Sequence, residues 1–179
     1  MKKIKQFAAV ICAGATLLLS KTSFAQSTPK DAFRFGIGVE TLAPVGDLKS
    51  YRSNFGLGIT PQLQYGIGDH VALTLSSGYY HFFEKTVHKE DGYGGYSTQR
   101  KGIIPVKLGL KAFLYKNLYI SGELGAGFEV SEGSNYVKFI SSGGVGYATK
   151  RWDVGLRYES FTGHSDNFGT IGLRVAYGL

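Results

Sequence analysis

The chain has 179 residues and a mass of 19.4 kDa, enough for one domain of ordinary size. With 43% hydrophobic, 14% aromatic and 18% charged residues it is no disordered polymer, and at a mean hydropathy of −0.05 no run past residue 20 suits a membrane helix. The formal net charge of +7 owes four lysines to the first 25 residues, which hold no acid; the remainder carries +3, weak support for nucleic-acid binding.

Lys2, Lys3 and Lys5 form a basic start, and an apolar run follows from Phe7 to Leu19. Ser23-Phe24-Ala25 supplies a small-residue cleavage site. Residues 1–25 therefore read as a secretory signal peptide cut between Ala25 and Gln26. Cys12 is the chain's one cysteine; it lies mid-run behind Ile11, which argues against lipidation. Past the leader no disulfide, thiol nucleophile or thiolate metal site is possible. Residues 26–31 read as a short extension, and residues 32–179 as a single domain.

Period-two alternation runs through that domain and predicts eight strands. The first covers about Phe33–Leu42. In the second, Phe55, Leu57, Ile59, Leu63, Tyr65 and Ile67 alternate with Gly56, Gly58, Thr60, Gln62, Gln64 and Gly66. The third runs from Val71 to Phe83. The fourth sets Ile104, Val106, Leu108, Leu110 and Leu114 against Lys107, Gly109 and Lys111. The fifth sets Leu118, Ile120, Leu124 and Phe128 against Tyr119, Glu123, Gly125, Gly127 and Glu129. The last three cover about Tyr136–Tyr147, Trp152–Phe161 and Phe168–Leu179. Pro61 and Pro105 fall inside strands and lack a ladder donor, so a bulge or strand end is expected at each.

Short and long connections alternate, and facing residues of an antiparallel pair must share a face. That parity puts Ile67 opposite Val71, Leu114 opposite Leu118, and Tyr147 opposite Trp152 across a four-residue link. It also sets Glu123 opposite Gly109, with Lys107 and Lys111 diagonal to it, and Arg174 opposite Gly155, with Asp153 and Arg157 diagonal.

Alternation alone does not distinguish a membrane barrel from a soluble one; the composition of the polar face does. That face carries fourteen glycines, from Gly36 and Gly38 to Gly172 and Gly178. Glycines make a poor solvent-facing surface but suit the lumen of an eight-stranded barrel, which side chains just fill. Lys107, Lys111, Glu123, Asp153, Arg157, Glu159 and Arg174 share that face with mixed sign, as an internal ion-pair network requires. On the apolar face, Tyr65, Tyr147, Trp152 and Tyr177 lie near the short-turn ends and Tyr79, Phe83, Phe128 and Tyr158 near the long-loop ends, as two aromatic girdles would. The expectation is an all-β, eight-stranded antiparallel up-and-down transmembrane barrel. A secreted lipocalin-like barrel with the faces reversed is the alternative.

The segments Ile104-Pro105-Val106-Lys107-Leu108-Gly109-Leu110-Lys111, Tyr115-Lys116-Asn117-Leu118-Tyr119 and Gly122-Glu123-Leu124-Gly125-Ala126-Gly127-Phe128, with the final Ile171-Gly172-Leu173-Arg174-Val175-Ala176-Tyr177-Gly178-Leu179, carry a family likeness. Over about residues 32–179 the chain resembles small eight-stranded outer-membrane barrels of the OmpX type, the OmpA transmembrane domain and PorT-like members. The resemblance implies residence in the outer membrane of a Gram-negative bacterium, contact with its lipid and lipopolysaccharide, and short turns on the periplasmic side. It also implies that the barrel-assembly machinery reads the last strand. The family usually ends in Phe, whereas this chain ends in Leu179 with Tyr177 two residues earlier.

Chemistry-bearing motifs are sparse. Gly122-x-x-Gly125-x-Gly127 lies within a strand with no following helix, so it is no nucleotide loop. His70, His81, His88 and His164 show no metal-ligand spacing, and no cofactor is expected. A lipid A deacylase or acyltransferase is the enzymatic alternative, resting on His164-Ser165-Asp166 and on His81 with Glu84 near the outer rim. The reading adopted is a monomeric, non-enzymatic barrel with a structural or surface-interaction role. Its polar, tyrosine-bearing loop from Lys85 to Gln99 is the candidate contact for an extracellular partner.

Overall fold

The computed structural model describes residues 30–45, 53–84, 101–130, 136–163 and 167–179. The expected cleavage site at Ala25 and Gln26, the loop from Lys85 to Gln99, and His164-Ser165-Asp166 lie outside these residues.

Nine strand segments form one antiparallel sheet. They are β1 (Phe33–Val45), β2 (Ser53–Gly66), β3 (Val71–Ser77), β4 (Tyr79–Glu84), β5 (Lys101–Tyr115), β6 (Leu118–Val130), β7 (Val137–Ala148), β8 (Trp152–Gly163) and β9 (Phe168–Gly178). β3 and β4 are two halves of one stave, so the sheet is an eight-stave barrel. It closes because β1 pairs with both β2 and β9. Each described strand is paired on both sides, which is what a strand-built membrane protein requires.

The apolar set points outward. Ile59, Leu75, Leu108, Leu124, Val145 and Leu156 are each about half exposed. Between them Thr60, Ser76, Lys107, Glu123, Gly155 and Arg157 turn into the lumen. The unbroken staves run 11 to 15 residues, longer than the ~9–11 that a tilted strand needs to cross a bilayer.

The predicted registers hold in most places. β2 pairs with β3 so that Ile67 meets Val71 at the turn. Glu123 faces Gly109, and Arg174 faces Gly155. Two turns differ. Between β5 and β6 a bulge after Phe113 sets Tyr115, not Leu114, opposite Leu118. Lys116 and Asn117 then make a two-residue loop, with Lys116 at a φ of 44°. Between β7 and β8 Tyr147 faces Val154 and Ala148 faces Asp153, a shift of two residues that keeps every side chain on its predicted face. The Thr149 N–H donates to the Trp152 carbonyl at 2.7 Å, and the Trp152 N–H donates to Thr149 Oγ1 at 2.9 Å. Those bonds close the hairpin around Lys150-Arg151 alone.

Neither Pro61 nor Pro105 ends a strand or shifts register, contrary to expectation. The irregularity appears in the stave between them. Ile67 N donates to β3, and period two carries the nitrogen of Pro61 to the same neighbour. Phe113 N donates to His70, and the same rule aims Pro105 N at that stave from its other side. The pairings of β2 and β5 with β3 and β4 bring both prolines level with Ser77 and Gly78. Two ladder donors are missing there at once, and the stave breaks at Gly78.

Gly78 sits so close to β2 that a Cβ would collide with the Ile59 carbonyl oxygen, which is backbone and has no room to yield. Gly78→Ala is therefore expected to destabilise the barrel by about 1–3 kcal/mol. Urea unfolding followed by the mobility of folded and unfolded bands checks this; an unchanged midpoint would mean the break is loose.

Candidate functional site

The lumen is divided by depth. Its long-loop end is apolar: Leu42, Phe82, Ile103, Ile140, Phe161 and Phe168 are buried there as one cluster. Phe161 and Phe168 stack at 4.6 Å, and Phe82 meets Phe168 edge-on at 6.0 Å. Lys138 is buried beside this plug, 3.5 Å from Glu129.

Below the plug lies the charge network. Four cations, Lys107, Lys111, Arg157 and Arg174, meet four carboxylates, Glu40, Glu123, Asp153 and Glu159. Lys107 Nζ lies 3.3 Å from Glu123, contacts Glu159, and donates to the Tyr80 hydroxyl at 3.1 Å. Arg157 spans the lumen, 3.1 Å from Glu40 and 3.0 Å from Glu123. Tyr80 donates to Glu40 at 3.1 Å, and Thr60 donates to the other Glu40 oxygen at 2.7 Å.

A second group lies toward the short turns. Lys111 pairs with Asp153, and the Tyr119 hydroxyl donates to Asp153 at 2.6 Å. Arg174 joins the two groups, 3.5 Å from Glu40 and 3.8 Å from Asp153. Gln62 joins them again, donating to Glu123 at 3.1 Å while accepting from Lys111 at 3.3 Å. Each of these eight charges meets an opposite charge, as burial in a low-dielectric interior demands.

All seven charged residues expected in the lumen are placed there together. Lys111 is the exception in partnership: it crosses to Asp153 on β8 and leaves Glu123 to Lys107 and Arg157. Glu40, Thr60, Gln62, Tyr80 and Tyr119 complete the network and were not among the expected residues. Glu40 was legible, since it continues the inward series of Gly36 and Gly38 on β1.

Glycines make room for these long side chains. A Cβ at Gly109 would come within 2.6 Å of Glu123 Cγ, and one at Gly144 within 2.9 Å of Arg157 Cβ. A cavity of about 10 Å³ remains among Gln62, Lys111, Tyr119, Ser121, Glu123 and Arg157, space for one water molecule. Among the described residues no group of His, Cys, Asp and Glu is arranged to hold a metal ion.

On the outer wall the aromatics form two bands. Toward the short turns, Trp152 meets Tyr177 at 5.2 Å, Tyr147 accepts from Asn117 at 3.0 Å, and Tyr65 donates to Asp31 at 3.2 Å. Toward the long loops, Tyr79 lies over Gly102 and Tyr158 over Gly169. His81 sits on this outer wall between Tyr79 at 6.4 Å and Phe83 at 4.7 Å, an aromatic-band position.

The fold is that of small outer-membrane barrels. Ail, the attachment invasion locus protein of Yersinia pestis, superposes with a TM-score of 0.56 at 16% identity, over 84% of this chain and 100% of that one. Neisserial surface protein A gives 0.53 at 14% identity, over 81% and 96%. The N-terminal barrel domain of Pseudomonas aeruginosa OprF gives 0.52 at 11% identity, over 84% and 98%. The chain matches no protein-family model and no curated relative.

Removing one carboxylate should cost far more than removing a matched pair. Glu123→Met leaves Lys107 and Arg157 short of a counter-charge and is expected to cost about 3–5 kcal/mol. Adding Lys107→Met restores charge balance and should recover part of that loss. A double-mutant cycle of urea unfolding measures the coupling; purely additive losses would mean the two charges act independently.

Proposed function

We propose that the chain is an outer-membrane β-barrel that holds its long loops at the cell surface in a structural or interaction role, without catalysis. The observation that carries this reading is the inside-out arrangement of side chains. A continuous apolar wall runs between two aromatic bands, while the balanced charges face the lumen. A soluble barrel would leave that wall in water, where a contiguous apolar surface of this size drives aggregation. Export by cleavage between Ala25 and Gln26 belongs to the same reading, as do monomeric insertion in lipopolysaccharide-containing membrane and delivery by the barrel-assembly machinery.

The filled lumen favours an interaction role over transport. Among the described residues the apolar plug fills one end and the ion network the middle, with a cavity of about 10 Å³ beside the network. His81 has aromatic neighbours on the lipid side, which suits an interface residue better than a catalytic base. Contact with an outside partner then falls to the long loops, that from Lys85 to Gln99 foremost. Ail, whose fold this chain shares, has been crystallised with the heparin analogue sucrose octasulfate, so a barrel of this size is compatible with binding a polyanion.

The test is electrophoretic. Outer-membrane fractions run in SDS without boiling should show a band that migrates ahead of the boiled form, with the mature mass beginning at Gln26. A soluble protein with no heat-dependent shift would reverse the faces and point to a ligand inside a secreted barrel. In planar bilayers the folded protein should give no stepwise conductance, and stable open steps would overturn the closed-lumen part of the reading.

A further inference from the structure

The short-turn rim is electrically lopsided. The β5–β6 turn presents Lys116, and the β7–β8 turn presents Lys150 and Arg151, all exposed. Asn117 of the first turn accepts from the Ala148 N–H at 2.9 Å and donates through Nδ2 to Tyr147 at 3.0 Å, so the two turns are locked side by side. Gly178 N donates to the Arg151 carbonyl at 2.6 Å and ties the second turn to β9. Neither turn contains an acid, and the nearest carboxylate in sequence, Asp153, points inward to Lys111. Among the described residues no carboxylate pairs with any of the three cations. Across the rim the charges are mixed, with Lys30 beside Asp31 and Asp69 beside His70.

The three cations also sit at a defined depth. Each turn is framed by the aromatic band: Tyr115 precedes Lys116, and Trp152 follows Arg151. The Lys116 ammonium lies over the Tyr115 ring, 5.2 Å from its centre, and Trp152 packs against Tyr177. Aromatic residues of this kind mark the level of lipid headgroups. Cations held at that level, unneutralised by the protein, face the phosphates rather than open solvent.

We infer that the Lys116, Lys150 and Arg151 face of the short-turn rim is a docking site for an anionic phospholipid headgroup in the leaflet it meets. The inference rests on the membrane reading above. Arg151 offers a planar fork for two phosphate oxygens, and the two lysines add unpaired charge around it. The wall beneath, with Tyr115, Tyr147, Trp152 and Tyr177, takes the upper acyl chain.

Trp152 is the chain's one tryptophan and stands beside Arg151, so it reports on this site alone. The folded protein is reconstituted into phosphatidylcholine vesicles that carry, at equal mole fraction, phosphatidylglycerol or phosphatidylcholine brominated near the headgroup. Brominated phosphatidylglycerol is expected to quench Trp152 as if enriched about twofold or more around it. High salt should erase that excess in the unaltered protein. The triple variant Lys116→Asn, Lys150→Gln, Arg151→Gln should erase it while leaving quenching by brominated phosphatidylcholine unchanged. Equal quenching by the two lipids in the unaltered protein would overturn the docking site and leave the membrane reading standing. Quenching by neither would overturn the membrane reading itself, and the docking site with it.

Discussion

Glu123 is held between Lys107 and Arg157, which reach it from different walls of the lumen, and Glu40 is held between Arg157 and Arg174 in the same way. These side chains are almost wholly withdrawn from solvent, so each charge is tolerable only while its partners stay in place. The cations come from β5, β8 and β9 and the carboxylates from β1, β6 and β8, so the network joins ladder neighbours and, through Lys111–Asp153, Arg157–Glu40 and Arg157–Glu123, also staves that share no ladder. A one-residue slip of any of these staves would turn its charge into the apolar wall. Register, closure and the direction of every side chain therefore hang on the same set of contacts.

The glycines follow from that constraint rather than from turn geometry. Long side chains fill an eight-stave lumen only if small residues stand opposite them. Gly109 yields to Glu123 and Gly144 to Arg157, while a Cβ at Gly155 would reach within 2.7 Å of the Tyr119 hydroxyl. β7 is the extreme case: it offers Ser142, Gly144 and Gly146 to the lumen and no charge in the network, and in doing so admits side chains from both neighbours. Glycine weakens a strand by its own conformational freedom. Here the loss is offset by closure of the sheet and by the ion pairs that the space allows.

The parts of this arrangement that depend on parity were readable from residue order. Alternation placed Lys107, Glu123, Arg157 and Arg174 on one face, and a short turn fixes which residues of adjacent strands meet. Pairing across the lumen was not readable, because Lys111 and Asp153 lie on strands that are not neighbours, and no local pattern says which of two nearby carboxylates a lysine will take. The two-residue shift at Tyr147 escaped for a related reason: an even shift leaves every side chain on its face, so alternation cannot sense it. Tyr80 and Tyr119 sit on the inner face, but their hydroxyls join the network only because of how deep the rings reach. The prolines mislead when each strand is read alone. Their effect emerges in the stave between them, where Pro61 and Pro105 withdraw donors at one level and Gly78 absorbs the break.

The division of the lumen by depth decides where recognition can occur. An apolar plug at one end and a neutral ion network in the middle leave, among the described residues, a cavity of only about 10 Å³ to receive a solute. Selectivity among ligands would need polar groups free to exchange partners, and the eight charges of the network are already bound to one another. On the function proposed above, binding falls to the surfaces outside the lumen: the long loops at one end, and at the other the proposed docking face of Lys116, Lys150 and Arg151. The same chemistry that fills the barrel so completely makes its two margins the places where a partner can gain contact energy.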